Sequence, residues 1–213
     1  MVFGGLAALN SVDININKGE VLSVIGPNGA GKTTLFNLLT GVYAPTKGNI
    51  NFKQKDLQNL KPYEITKMGI ARTFQNIRLF SEMSVLDNVI IGQHCRTKTG
   101  VLGAILKTPA VVKEERAVRD KAMDVLDFVG LADMKDEKAK NLPYGKQRRL
   151  EMARALATDP DLILLDEPAA GMNPHETNEL ICLIEKLNDM GKTVLLIEHD
   201  MKLVMGISKR IMV

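Results

Sequence analysis

The chain is poor in several things that would have pointed elsewhere. Two cysteines stand in 213 residues, Cys95 and Cys182, far apart and without metal-ligating or redox spacing; a reduced, cytoplasmic setting fits them best. No apolar run approaches the ~20 residues that a membrane helix needs, and Val101 to Leu106 is far too short. The N-terminus lacks the basic-then-apolar pattern of a secretory signal. Charge of one sign is scarce, since 28 Lys and Arg against 25 Asp and Glu leave a net +3, too mild to imply nucleic acid by itself. Internal repeats, low-complexity tracts and linkers are absent. What is present is the make-up of a packed domain, 45% hydrophobic and 25% charged. That composition excludes disorder, and the length suits one domain with a substantial core.

Four short apolar runs read as buried strands: Val21 to Ile25, Ile70 to Phe74, Leu162 to Leu165 and Val194 to Ile197. Continuous apolarity without alternation suits strands covered on both faces of a parallel sheet. Helices are punctuated between them. Asn173-Pro174-His175-Glu176 supplies an N-cap, a proline at the first helical position and a glutamate at the third, and Gly191 closes the run. Ser84 with Asp87 opens another helix, and Gly130 ends one carrying Val118, Ala122, Val125 and Val129. Strands alternating with helices predict an α/β fold. From about Leu79 to Leu142 the alternation breaks into a helical insertion. Within it, Arg96 to Lys121 holds seven Lys and Arg against three Asp and Glu, a solvated helix face, a docking surface or a contact for acidic headgroups.

Chemistry is concentrated where strands end. Gly26-Pro27-Asn28-Gly29-Ala30-Gly31-Lys32-Thr33 follows one strand and precedes a helical run, Thr34 to Leu39. This is the G-x-x-x-x-G-K-[ST] phosphate loop in its required context. Glycines let backbone N–H groups converge on phosphate oxygens, and the helix N-terminus adds positive dipole. Lys32 would bridge the β- and γ-phosphates, and Thr33 would offer its hydroxyl to Mg²⁺. Asp166 and Glu167 close another apolar strand, a costly arrangement without a cationic partner. Asp166 would hold Mg²⁺ through water, and Glu167 would polarise the attacking water. Gln75 and His199 follow the two remaining strands, and ligands in open α/β sheets bind beyond the carboxyl ends of strands.

This set of motifs resembles the ATP-binding subunit of an ABC transporter, over essentially the whole chain. Gly26 to Thr34 is similar to the family's Walker A segment, Leu162 to Glu167 to its Walker B, Gln75 to the Q-loop glutamine and His199 to the switch histidine. Leu142-Pro143-Tyr144-Gly145-Lys146-Gln147-Arg148-Arg149 falls about twenty residues before Walker B, where the family has its signature. Phe3 stands where an aromatic stacks on adenine. The resemblance implies a P-loop NTPase core with a mainly parallel sheet, an antiparallel N-terminal β region and a helical subdomain. It divides 1–213 into a core (1–78 and 150–213) and a helical subdomain (79–149), short at both ends relative to the family. It implies ATP and Mg²⁺ as ligands, with Thr33, Gln75 and Asp166 at the metal. Catalytic roles fall to Glu167, His199, Gln75 and Lys32. Phe3, Gly26, Pro27, Asn28, Gly29, Ala30, Gly31, Lys32, Thr33 and Thr34 would hold the nucleotide, and Leu142, Pro143, Tyr144, Gly145 and Lys146 would face that of a second subunit.

Finer strings resemble the branched-chain amino acid importer branch: Arg72 to Phe80, the Pro-Tyr-Gly signature, Ala169 to Pro174 and Ile197 to Lys202. Urea and short-amide importers use similar ones. The implied partners are a second ATPase subunit (identical or related), transmembrane permease subunits and, indirectly, a solute-binding protein, with no nucleic acid. The implied location is peripheral, on the cytoplasmic face of the inner membrane. Pro143 replaces the signature serine, Tyr144 its first glycine and Lys146 its glutamine, while Gly145 survives. The segment Ala170 to Asn173 lacks an acid. A DNA-repair relative would carry a long coiled coil between phosphate loop and signature, where only about 110 residues without heptads intervene here. A GTPase would need a guanine-reading Asn/Thr-Lys-x-Asp, which is missing. An ATP-regulated, non-transport module of the same superfamily is the remaining rival.

Overall fold

The four apolar runs and a fifth strand pair side by side. A computed structural model of the protein describes residues 1–96 and 108–213, apart from the side chains of Phe3 and Leu6. Val101 to Leu106 and part of the basic stretch therefore lie outside the described residues. The chain divides into two units, Met1–Gln75 with Pro160–Val213, and Asn76–Asp159. The second unit thus keeps the whole helix that follows Pro143, which runs unbroken from Tyr144 to Leu156.

In the first unit, β1 (Val2–Phe3) and β2 (Leu6–Ala7) form a small antiparallel pair. β3 (Val21–Val24) leads through the glycine-rich loop into α1 (Lys32–Leu39). A second antiparallel pair follows, β4 (Asn51–Phe52) with β5 (Lys55–Asp56). α2 (Pro62–Met68) then feeds β6 (Ile70–Arg72). After the second unit come β7 (Leu162–Asp166), α6 (Pro174–Asp189), β8 (Thr193–Ile197), α7 (Met201–Ile207) and β9 (Arg210–Met212). The five-stranded sheet has the order β6-β7-β8-β3-β9, and every pairing in it is parallel.

Register places the site. Asp166 lies opposite Ile197, and Val24 lies opposite the same residue from the other side. The carboxyl ends of β3, β7 and β8 therefore stop level with one another. β6 ends at Arg72, two residues sooner than its apolar run predicts; the Thr73 N–H still reaches Leu164 O at 2.9 Å before the chain turns toward Gln75. One sheet face packs Leu22, Val24, Ile70, Leu162, Leu164, Leu195 and Ile197 against Phe36, Leu57 and Ile65. The alternate residues Ile163, Leu165, Val194 and Leu196 are fully buried too. Burial on both faces explains why these strands read as unbroken apolar runs.

The second unit contains α3 (Val85–Gly92), α4 (Pro109–Phe128) and α5 (Tyr144–Leu156). Among its described residues there is no strand beyond an isolated bridge between Ser84 and Lys138. Ser84 caps α3 by accepting from the Asp87 N–H at 3.0 Å. The buried Asn88 side chain holds Phe80 at both backbone atoms, accepting at 2.9 Å and donating at 3.1 Å. Lys140 and Lys138 hydrogen-bond Glu82 and hold its carboxyl below the usual carboxylate range. Among the described residues no helix is long and apolar enough to cross a membrane.

Candidate functional site

The loop after β3 is built from backbone geometry that only glycine adopts comfortably. Gly26, Gly29 and Gly31 have φ of 154°, 86° and 89°. At Gly31 a Cβ would also stand 2.5 Å from Ala8 O and 2.8 Å from the Leu9 side chain, so both conformation and space require glycine there. α1 then begins without a side-chain cap and without an acid in its first turn. Its leading N–H groups and dipole are left to face an anion. Lys32 Nζ donates to Gly26 O at 2.6 Å and Pro27 O at 3.0 Å, which folds the ammonium over its own loop. Pro27, Asn28, Gly29, Ala30 and Thr33 are exposed, and Thr34 is half-buried.

Asp166, at the end of β7, is buried and paired. Its Oδ2 accepts from Arg72 Nη2 at 2.8 Å, with the two side chains 4% and 6% exposed. Arg72 Nη1 also donates to Asn37 Oδ1 on α1 at 2.6 Å. The guanidinium lies 5.3 Å from the Phe36 ring centre and 5.2 Å from that of Phe74. Its Nε is buried without a hydrogen-bond partner among the described residues. No cluster of three His, Cys, Asp or Glu side chains among the described residues could cage a metal ion. The hard-oxygen side chains of Thr33, Gln75 and Asp166 suit instead a Mg²⁺ that is bound largely by phosphate and water.

Glu167 follows immediately, in a left-handed conformation with φ of 47°, which costs a non-glycine residue on the order of 1–3 kcal/mol. Its N–H donates to Ile197 O at 2.9 Å, continuing the ladder with β8. Its side chain accepts from Gln75 Nε2 at 3.0 Å, and its Oε1 lies 3.9 Å from His199 Nδ1. Phosphate loop, Gln75, Asp166, Glu167 and His199 thus all lie at the carboxyl edge of one sheet, as the strand-end pattern predicts. Glu198, between β8 and His199, is fully buried. Its Oε1 accepts from Ala169 N at 2.9 Å, and its Oε2 from His199 N at 3.0 Å and Asp200 N at 3.4 Å.

Phe3 ends β1, and its side chain lies outside the described residues. In the second unit, Leu142 and Gly145 are buried, and Pro143 is the N-cap of α5, providing no side-chain cap bond. Tyr144 is half-exposed, and its hydroxyl accepts from Arg148 Nε at 3.1 Å and Nη2 at 2.8 Å. Lys146 Nζ is turned to Met134 Sδ at 3.4 Å. α5 has no acid in its first turn, so its N-terminus also favours an anion.

Sequence reasoning passed over Arg72 and Glu198. Arg72 ends a buried strand, where an unpaired cation is costly, and that was its signal. Glu198 repeats the pattern that marks Asp166 and Glu167, an acid directly after an apolar strand.

The family described as ABC transporter matches residues 9–170. The chain is 51% identical to the high-affinity branched-chain amino acid transport ATP-binding protein LivG of Salmonella typhimurium, over 100% of this chain and 84% of that protein. A crystal structure of the ADP conformation of an ATP-binding cassette of an ABC transporter is similar, with a TM-score of 0.82 and 38% identity, over 96% of this chain and 81% of that one. A dimeric, post-hydrolysis cassette bound to ADP and phosphate has a TM-score of 0.78 and 28% identity, over 93% of this chain and 83% of that one.

Proposed function

This chain belongs to the ABC transporter family, and from that premise we propose that it is the ATP-hydrolysing subunit of an importer for branched-chain amino acids. Its identity with LivG along the full chain carries the reading, and the groups gathered at the carboxyl edge of the sheet are those that ATP hydrolysis needs. Backbone N–H groups of Gly29 to Thr33 cradle the phosphates. Lys32 leaves its loop carbonyls for the β- and γ-phosphate oxygens, where its charge offsets that developing in the transition state. Thr33, Gln75 and Asp166 would hold Mg²⁺, directly or through water, and the ion would supply positive charge to offset that of the phosphates. Glu167 orients the attacking water and accepts its proton. Gln75, already bonded to Glu167, senses that carboxylate. His199 faces the γ-phosphate. Phe3 stacks on adenine, and Gly26, Pro27, Asn28, Ala30 and Thr34 complete the cradle.

Hydrolysis of this kind takes two ATPase subunits, identical or related. Leu142 to Lys146, with the N-terminus of α5, cover the nucleotide held by a second ATPase subunit; that a similar cassette bound to ADP and phosphate is dimeric supports the pairing of two such subunits. Permease subunits then take up the closing and opening motion. The chain lies peripherally on the cytoplasmic face of the membrane, and a solute-binding protein acts on the far side.

Glu167→Gln tests the assignment. The variant keeps the shape of the site and loses the proton acceptor, so ATP should bind with affinity near that of the parent. Turnover should fall by at least about 100-fold. Titration with a fluorescent ATP analogue and a phosphate-release assay, both with and without membrane partners, read the two separately. Near-parental turnover would refute the role of Glu167. Stimulation by DNA instead of by permease would refute transport.

A further inference from the structure

Glu198 has no part in the reaction described above, yet it is among the most buried polar side chains of the first unit, with 1% exposed. A carboxylate so placed needs hydrogen bonds at both oxygens, because each unpaired buried acceptor costs roughly 1–3 kcal/mol. The donors it has found are not scattered. Oε1 takes the N–H of Ala169, two residues beyond Glu167, and Oε2 takes the N–H groups of His199 and Asp200. One rigid side chain therefore clamps two loops, one leaving β7 and one leaving β8.

Those loops carry the two groups whose mutual placement matters most. Glu167 is held at φ of 47°, a conformation that relaxes unless the surrounding chain over-determines it. On its N-terminal side the Glu167 N–H is fixed by Ile197 O. On its C-terminal side Ala169 is fixed by Glu198. His199 is fixed at its own N–H by the same carboxylate, and its imidazole, 70% exposed, keeps Nδ1 3.9 Å from Glu198 Oε2 and 3.9 Å from Glu167 Oε1. Glu198 thus meets His199 twice, at the backbone N–H that carries the ring and beside the ring itself.

We propose that Glu198 is a positioning residue that locks the water-orienting carboxylate of Glu167 and the imidazole of His199 into one geometry, by clamping Ala169 N–H with one oxygen and the His199 and Asp200 N–H groups with the other. It acts through the backbone of the two loops. The proposal rests on the roles given above to Glu167 and His199. Glu198→Gln breaks the clamp with little change in volume. An amide accepts through one atom only, so whichever way it is turned, one loop loses its acceptor and meets an N–H instead.

Two readouts follow, on the full chain. In steady-state ATP hydrolysis Glu198→Gln should lower kcat by about 10- to 100-fold while KM for ATP stays within about two-fold, the mark of an interaction that positions the chemistry and not the ground-state ligand. In carbon–proton correlation spectra of the nucleotide-free protein, which has three histidines, the His199 ring resonances should shift and those of His94 and His175 should not. Glu198→Asp, which keeps both oxygens one methylene short, carries the same readouts should the glutamine variant not fold. An unshifted His199 resonance with parental kcat overturns the proposal, as does a loss of ATP affinity parallel to the loss of kcat. Glu167→Gln separates the layers: active Glu167→Gln protein defeats the underlying reading, whereas inactive Glu167→Gln with fully active Glu198→Gln defeats this inference alone.

Discussion

Arg72 joins three parts of the candidate site through one side chain. It pairs with Asp166 at the end of β7, donates to Asn37 on the helix after the phosphate loop, and lies close to the rings of Phe36 and Phe74, the latter adjoining Gln75. Both members of the ion pair are almost wholly buried, so removing one leaves the other charge stranded. Arg72→Met should therefore lower stability by roughly 3–5 kcal/mol, read as a fall in the urea midpoint at unchanged slope. Arg72→Lys should recover only part, since an ammonium cannot span Asp166 and Asn37 as a planar fork does. A lysine variant as stable as the parent would show that charge alone is at work. The phosphate loop was legible residue by residue because its chemistry is local, eight consecutive positions with a fixed spacing. The Arg72–Asp166 pair was not, because its partners are 94 positions apart, and no spacing rule says which acid a strand-end arginine will meet.

Helix boundaries follow local signals, and α6 is the clearest case. Asn173 Oδ1 accepts from His175 N at 2.9 Å and Glu176 N at 3.0 Å, and Glu176 returns a bond to Asn173 N at 2.9 Å. That reciprocal box is visible in the sequence as Asn-Pro-His-Glu. Asn173→Ala should cost about 1 kcal/mol, measurable by chemical denaturation, with Asn173→Ser near neutral. An alanine variant of parental stability would mean that Pro174 and Glu176 suffice to start the helix. The small hairpin β4–β5 shows the opposite situation. Its turn places Lys53 and Gln54 at φ of 50° and 63°, the left-handed pair that a two-residue hairpin requires. The usual Asn or Gly is absent from both positions, so the sequence carries no turn signal there. Strands two residues long also show no periodicity. Elements with caps or long apolar runs could be read; those set by tertiary contact could not.

At the scale of the molecule, the two units differ in how they use the chain. The second is continuous, Asn76–Asp159, whereas the first is assembled from Met1–Gln75 and Pro160–Val213. In the first, β6 pairs with β7, and β3 lies between β8 and β9. Contacts between distant segments form slowly because loop closure comes first. On refolding, backbone amides of α3 and α5 should gain protection from hydrogen exchange before those of β3, in a pulse-labelling experiment. Simultaneous protection would mean that both units fold in one step. The interleaved strand order has a further consequence at the ribosome. Synthesis is vectorial, and the strand that carries the phosphate loop is made well before both of its neighbours in the sheet, Thr193–Ile197 and Arg210–Met212. A nascent chain stalled before Thr193 holds every glycine of that loop and neither strand that flanks it, so both edges of that strand stay unpaired until those segments have emerged.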